Sequence, residues 1–296
     1  MHIPVLLNET IEYLQIKEGA VIVDATLGGG GFSKEVCQRY TGKVTLIGLD
    51  ADSDAVLRTK EGLRDLNCNF FLETANFADL ADVLERLGFG QINGATFDLG
   101  LSSYQIEGSN RGFSFQRDEP LQMTFSKEPE SEEITASEII NQWSEGSLRA
   151  IISAYGEERY AGRISKAIIE ARKEGSIKTT LELVDVINKA VPKGYKHGRI
   201  HPATRTFQAI RMAVNDEITA LERGMQGCFE KLSQGGRIAI ISFHSLEDRV
   251  IKNFFLKKEK EKVAFRVNKK PIRPDREEVL RNRRSRGAKL RVLEKL

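Results

Sequence analysis

Over the first hundred residues, short continuous apolar runs alternate with stretches whose apolar residues stand three or four apart. The runs at 19–24, 43–50, 69–73 and 92–99 read as buried strands, because a strand covered on both faces carries no polar alternation. The stretches at 33–40, 53–66 and 77–87 read as amphipathic helices. Strand and helix alternating at this spacing predict a doubly wound α/β unit with a parallel sheet.

The alternation stops near residue 100. Residues 100–133 are loop-like, and helical periodicity then continues alone at 137–143, 145–154, 161–173 and 180–190. Pro192, Gly194, Gly198 and Pro202 predict a linker. Beyond it the pattern predicts one long helix over 205–232 stopped by Gly235-Gly236, a fifth buried strand at 237–242 and a helix at 246–260. Segments 263–267 and 289–293 are expected to pair as a terminal hairpin at the sheet edge. The organisation predicted is an α/β domain in two pieces, 1–103 and 204–296, around an all-helical insertion, 104–203.

Composition changes this picture little, but charge adds to it. No apolar run is long enough to span a membrane, and Glu9 and Glu12 follow an N-terminus without a basic start, so neither a span nor a secretory signal is expected. The expected location is the cytoplasm. Cys37, Cys68 and Cys228 are scattered and odd in number, which predicts three reduced core cysteines and no disulfide framework. The four histidines, His2, His197, His201 and His244, show no metal-ligand spacing on a helix, so no metal is expected. Residues 252–296 hold 17 Lys and Arg against 6 Asp and Glu, while the rest of the chain holds 28 against 36. A basic block that includes Arg281-Asn-Arg-Arg-Ser-Arg286 on an acidic body predicts contact with a phosphate backbone. The opposite block, 127–138, carries Glu128, Glu130, Glu132, Glu133 and Glu138 and reads as a solvated loop leading into a helix.

Candidate chemistry begins at Asp24-Ala-Thr-Leu-Gly-Gly-Gly-Gly31, between a strand and a helix, where glycines let backbone approach a ligand and a helix start offers free N–H groups. The dinucleotide pattern Gly-x-Gly-x-x-Gly fails, because Ser33 or Lys34 occupies its last position. Asp50 ends the second strand about 20 residues on, where a carboxylate can accept both ribose hydroxyls. A helix cap is the other role open to it. The acid at Asp24 favours S-adenosylmethionine, whose cationic end a carboxylate attracts, over a ligand with a diphosphate. Asp98 ends the fourth strand, where open α/β sheets bind ligands. Asp98 and Tyr104 are suitable types for methylating an exocyclic amine, which needs a proton acceptor and an aromatic face for the base. His244 follows the fifth strand and is either a contact to the base, able to shuttle a proton, or a structural histidine. Arg205 is expected to contact RNA, and Trp143 to lie in helical core. No cysteine stands where a nucleophile is needed, so methyl transfer is expected to be direct.

Five segments carry a family resemblance. They are Asp98-Leu-Gly-Leu-Ser-Ser103, Arg111-Gly-Phe-Ser-Phe115, Tyr155-Gly-Glu-Glu-Arg159, His201-Pro-Ala-Thr-Arg-Thr-Phe-Gln-Ala-Ile-Arg-Met-Ala-Val-Asn215 and Ile241-Ser-Phe-His-Ser-Leu-Glu-Asp-Arg249. In order, and over about 4–293, the chain resembles the bacterial small-subunit ribosomal RNA cytosine-N4 methyltransferase family, also called methyltransferase H. The resemblance implies a Rossmann-like class I S-adenosylmethionine methyltransferase sheet with an inserted helical domain for substrate recognition. It implies methylation of the exocyclic N4 amine of a cytosine in the decoding region of 16S ribosomal RNA, as free RNA or within the small subunit, with a homodimer left open. It assigns Gly30, Gly31, Phe32, Asp50, Phe77, Asp98 and Gln105 to the cofactor, with Phe77 beside the adenine and Gln105 near the methionine end. Phe32 stands where the family usually has His, and Arg117-Asp-Glu-Pro-Leu-Gln-Met-Thr124 lacks that segment's usual second acid and last arginine. The other readings carried are a DNA amino-methyltransferase, disfavoured because no Asn/Asp-Pro-Pro-aromatic motif follows the fourth strand, and an RNA-binding ribosome assembly factor without catalysis.

Overall fold

The computed structural model describes residues 4–127, 133–197 and 200–296, the side chains of 196 and 197 aside. His2, Glu128, Glu130, Glu132, Gly198 and the side chain of His197 therefore lie outside the described residues. The chain runs α1 (Leu7–Leu14), β1 (Val21–Asp24), α2 (Gly31–Arg39), β2 (Thr45–Asp50), α3 (Ser53–Leu63), β3 (Asn69–Thr74), a 3-10 turn (Phe77–Asp79), α4 (Leu80–Arg86) and β4 (Ile92–Asp98). It continues through α5 (Ser103–Glu107), α6 (Ala136–Gln142), α7 (Glu145–Ala154), α8 (Ala161–Glu174), α9 (Thr180–Ala190), a 3-10 turn (Lys193–His197) and α10 (Thr204–Val214). It ends with α11 (Glu217–Lys231), β5 (Leu232–Ser242), α12 (Ser245–Lys260), β6 (Ala264–Arg266), α13 (Arg276–Arg281), a 3-10 turn (Arg283–Gly287) and β7 (Lys289–Lys295). Two compact units result: Met1–Ser102 with Ile218–Leu296, and Ser103–Glu217.

The first unit is a seven-stranded sheet in the order β3-β2-β1-β4-β5-β7-β6. The first five strands are parallel, and β7 and β6 pair antiparallel at the edge, as the hairpin expectation had it. This is the doubly wound, Rossmann-like α/β sheet that the apolar runs predict, closed at one edge by an antiparallel pair. Consecutive strand residues go to opposite faces, which explains the continuous apolar runs. Val23, Ile47 and Ile240 enter a core with Phe97, Met225 and Phe255, while Ile22, Leu46 and Ile241 enter a second core with Leu14, Val36 and Val292.

The second unit is helical, built around buried Ile139, Leu148, Ile152, Ile164, Ile168, Leu183 and Ile187. Its helix starts are fixed locally. Thr135 with Glu138, and Thr179 with Glu182, form reciprocal capping boxes, and the Ser144 hydroxyl caps α7. Trp143 is half-buried at the end of α6. Among the described residues no helix is long and apolar enough to cross a membrane.

Four expectations are corrected. The single helix over 205–232 is two, broken at Asn215–Asp216, where Asp216 takes φ +43°. α10 packs on α6 and α7, so the second unit extends to Glu217 and not to 203. Gly235-Gly236 does not stop the second helix. The register with β4 jumps from Ile92 opposite Leu232 to Gly94 opposite Arg237, and Gly235, at φ +73°, turns the extra residues of β5 out of the ladder. Finally, Cys37 and Cys68 form a disulfide, with only Cys228 free and buried. Cys37 on α2 and Cys68 before β3 are far apart in sequence, and the chain brings their Cα atoms to 5.3 Å.

Candidate active site

Parallel strands bring their C-terminal ends to one edge, and in the first unit β2, β1 and β4 are neighbours there. Asp50, Asp24 and Asp98 are the last residues of these three strands. Asp24 is almost wholly buried, and its Oδ2 accepts a 2.6 Å hydrogen bond from the Ser33 hydroxyl. Ser33, the residue that spoils the dinucleotide pattern, thus serves the carboxylate. Burial pushes the Asp24 carboxyl up to about 7, and the nearby charges of Asp98 and Asp50 add to the rise. Asp50 accepts from the Gly28 N–H at 2.7 Å and the Asp52 N–H at 2.9 Å, so it ties the glycine loop to the start of α3. Asp52, not Asp50, is the side chain that caps α3. Burial raises Asp50 to about 6. Asp98 is raised to about 6, again chiefly by burial, with the Glu247 carboxylate contributing. Its backbone N–H donates to the Thr26 hydroxyl at 2.7 Å, and its Oδ1 accepts from the Gly100 N–H at 3.2 Å.

The loop over these carboxylates needs its glycines. Gly30 has φ +71°, and a Cβ there would lie 2.8 Å from the Thr59 hydroxyl. At Gly31 a Cβ would lie 2.2 Å from Pro4 Cγ. α2 starts at Gly31 without a side-chain cap on its first N–H groups. Phe32 turns its partly buried ring into the second core, so at this position the loop offers a ligand its backbone. Phe77 opens the 3-10 turn after β3, half-buried, with its ring edge-on to Phe97 at 5.7 Å.

His244 is the N-cap of α12. Its Nδ1 accepts from the Glu247 N–H at 3.3 Å, which puts the ring proton of the neutral form on Nε2, 2.9 Å from Glu247 Oε1. Glu247 reaches back with Oε2 to the N–H groups of Phe243 and His244, at 2.8 and 3.2 Å. Glu247 went unnoticed in the sequence, although His-Ser-Leu-Glu has the four-residue spacing of a capping box. Phe243 packs over the turn after Asp98, where a Cβ on Gly100 would lie 2.8 Å from its ring.

Asp24, Asp50, Asp98, Gly30, Gly31, Phe32, Phe77 and His244 therefore all belong to the first unit. Tyr104 and Gln105 open the second, on α5, with Tyr104 39% exposed and Gln105 buried. Arg211 forms a two-pronged pair with Glu217 at 2.7 and 2.8 Å, within the second unit. In the basic C-terminal block Lys289 and Arg291 both pair with Asp248, and Arg266 pairs with Glu259.

Among the described residues, Asp24, Asp50 and Asp98 make no ion pair. A row of carboxylates with raised pKa values attracts a cation and repels a diphosphate. S-adenosylmethionine fits this donor set, with a sulfonium charge, an ammonium and a ribose diol.

A family model described as the MraW methylase family matches residues 1–296. Proteins named Ribosomal RNA small subunit methyltransferase H are similar over the full chain. That of Carboxydothermus hydrogenoformans is 44% identical over 310 residues, covering 100% of this chain and 98% of its own. That of Symbiobacterium thermophilum is 42% identical over 310 residues, covering 100% and 96%. That of a Sulfurihydrogenibium species is 44% identical over 291 residues, covering 98% of each.

Proposed function

Because the chain belongs to the MraW methylase family, we propose that it is a cytoplasmic S-adenosylmethionine-dependent methyltransferase acting on N4 of a cytosine in the decoding region of small-subunit ribosomal RNA. The observation that carries the reading is the row of Asp24, Asp50 and Asp98 at adjacent strand ends beneath a glycine loop, none of them in an ion pair among the described residues, with the Arg58 charge acting on Asp50 alone.

Held there, S-adenosylmethionine would supply a methyl group activated by a positively charged sulfur, which leaves as the neutral thioether when the amine nitrogen takes the methyl. Asp50 holds the ribose hydroxyls while its other contacts keep the loop in place. Phe77 packs beside the adenine, and the backbone at Gly30, Gly31 and Phe32 lines the cofactor's path. Gln105 holds the methionine end. Asp98 orients the amine and accepts its proton, and a carboxyl near 6 is mostly ionised at neutral pH and basic enough for the task. Tyr104 offers its exposed ring to the cytosine. The Nδ1 bond of His244 favours a positioning role over proton transfer: with Glu247 it anchors the start of α12 and keeps the Glu247 charge near Asp98.

The test is labelled S-adenosylmethionine with three substrates: small subunits lacking the modification, their free RNA, and DNA of the same sequence. Label in either RNA form supports the reading. Label in DNA alone, or cofactor binding with no transfer to any substrate, overturns it.

A further inference from the structure

The motif Tyr155–Arg159 has no part in the cofactor site, yet the second unit builds a specific structure from it. Glu158 is buried, and both its oxygens are bonded: Oε1 accepts from the Tyr160 N–H at 2.8 Å and Oε2 from the Tyr195 hydroxyl at 2.6 Å. These bonds hold the two tyrosine rings edge to face, 4.9 Å apart. The Arg159 guanidinium lies over both, 4.7 Å from the Tyr160 centroid and 4.9 Å from that of Tyr195. Arg163, in the first turn of α8, lies over Tyr160 from 5.8 Å. Arg205, from the motif that opens α10, donates to the Glu157 carbonyl oxygen and adds its charge beside Tyr195.

Arg159 and Arg163 are both exposed. Among the described residues neither guanidinium makes an ion pair or a side-chain hydrogen bond. Two planar forks are thus seated on aromatic rings with their N–H donors unused. Stacking fixes the guanidinium plane and leaves its edges for a bidentate acceptor, an arrangement suited to phosphate. A carboxylate would compete for such forks, but that of Glu158, next in the chain to Arg159, is buried and has both oxygens bonded elsewhere.

We propose that Arg159 and Arg163, seated on Tyr160 and Tyr195, form a phosphate clamp for the sugar–phosphate strand of the RNA substrate. The clamp rests on the RNA methyltransferase reading above. It contacts backbone and not base edges, so it positions the strand without reading sequence.

The test measures binding of the full-length protein to small-subunit RNA across a salt series, for the wild type, R159A/R163A and R159K/R163K, with the methyl-transfer KM for RNA alongside. Loss of two phosphate contacts should weaken binding at least tenfold at low salt. It should also flatten the slope of log K against log salt by about 1.4, from about 0.7 per single-strand contact. KM for RNA should rise in parallel, with kcat and cofactor affinity unchanged. The lysine pair keeps the charge and should recover the slope. Wild-type slope and KM in the alanine pair would overturn the clamp, and so would a lysine pair that behaves like the alanine pair. If the wild type binds RNA but transfers no methyl group, the reaction reading fails, while a flattened slope in the alanine pair would still support the clamp.

Discussion

Replacing Asp24 with asparagine isolates the effect of burying one carboxylate in a row of three. Burial raises this carboxyl from its ordinary 3.8 to about 7. The unfolded chain ionises the group near pH 4, while the folded protein keeps its proton to near 7. Between those values the folded state holds about one proton more than the unfolded state. Wild-type stability therefore falls as pH rises, by about 1.4 kcal/mol per pH unit from this group. A shift of about three units makes the gross loss about 4 kcal/mol by pH 8. Asparagine does not titrate and can keep a bond with Ser33, whose hydroxyl accepts as well as donates. The unfolding free energy of D24N minus that of the wild type should be flat below about pH 4. It should climb in the variant's favour from 4 to 7 and level off above 7. Urea unfolding at a series of pH values from 4 to 8 reads this difference directly. A difference that stays flat, or that falls as pH rises, would refute the account of Asp24 as a carboxylate held against its preference to ionise.

Three further outcomes are expected. D98N should lower kcat by about 10²–10⁴, the usual contribution of a positioned base, with no loss of thermal stability, because burial already holds this carboxyl against ionising, and the wild-type rate should rise with pH through about 6; wild-type turnover in D98N would remove Asp98 from the chemistry. H244A should cost about 1 kcal/mol of stability through loss of the α12 cap and reduce kcat far less than D98N does; a kcat loss equal to that of D98N, with stability intact, would return His244 to proton transfer. Alkylation of the unfolded, unreduced protein should label Cys228 alone, and reduction should add Cys37 and Cys68 while lowering stability by about 3–4 kcal/mol for a bridge of this span; three labels without reduction would contradict the bridge.

The parallel sheet was legible in the sequence because its strands are buried on both faces and leave continuous apolar runs. Asp24, Asp50 and Asp98 were legible because they end those runs, and strand ends are where such sheets bind ligands. The break at Asn215–Asp216 was not, because side-chain bonds distant in sequence set it. The Asn215 amide donates to the Met123 carbonyl oxygen and accepts from the Phe125 N–H. No pattern within one helix records those partners. The Cys37–Cys68 pair was hidden for the same reason, since spacing along the chain carries no distance through space. Charge counting overstated the basic block, because Lys289, Arg291 and Arg266 face carboxylates of α12. The role of Glu247 was visible as a capping spacing, but its influence on Asp98 needed the turn of β5 into α12.

The central claim is the reaction itself. The most direct measurement is mass spectrometry of nucleosides from small-subunit RNA that lacks the modification, after incubation with the protein and S-adenosylmethionine. The account predicts a cytidine carrying one methyl group on its exocyclic nitrogen, formed by the wild type and lost in D98N. A methyl group on ring carbon or ribose, or no methylated cytidine while the cofactor still binds, would contradict it.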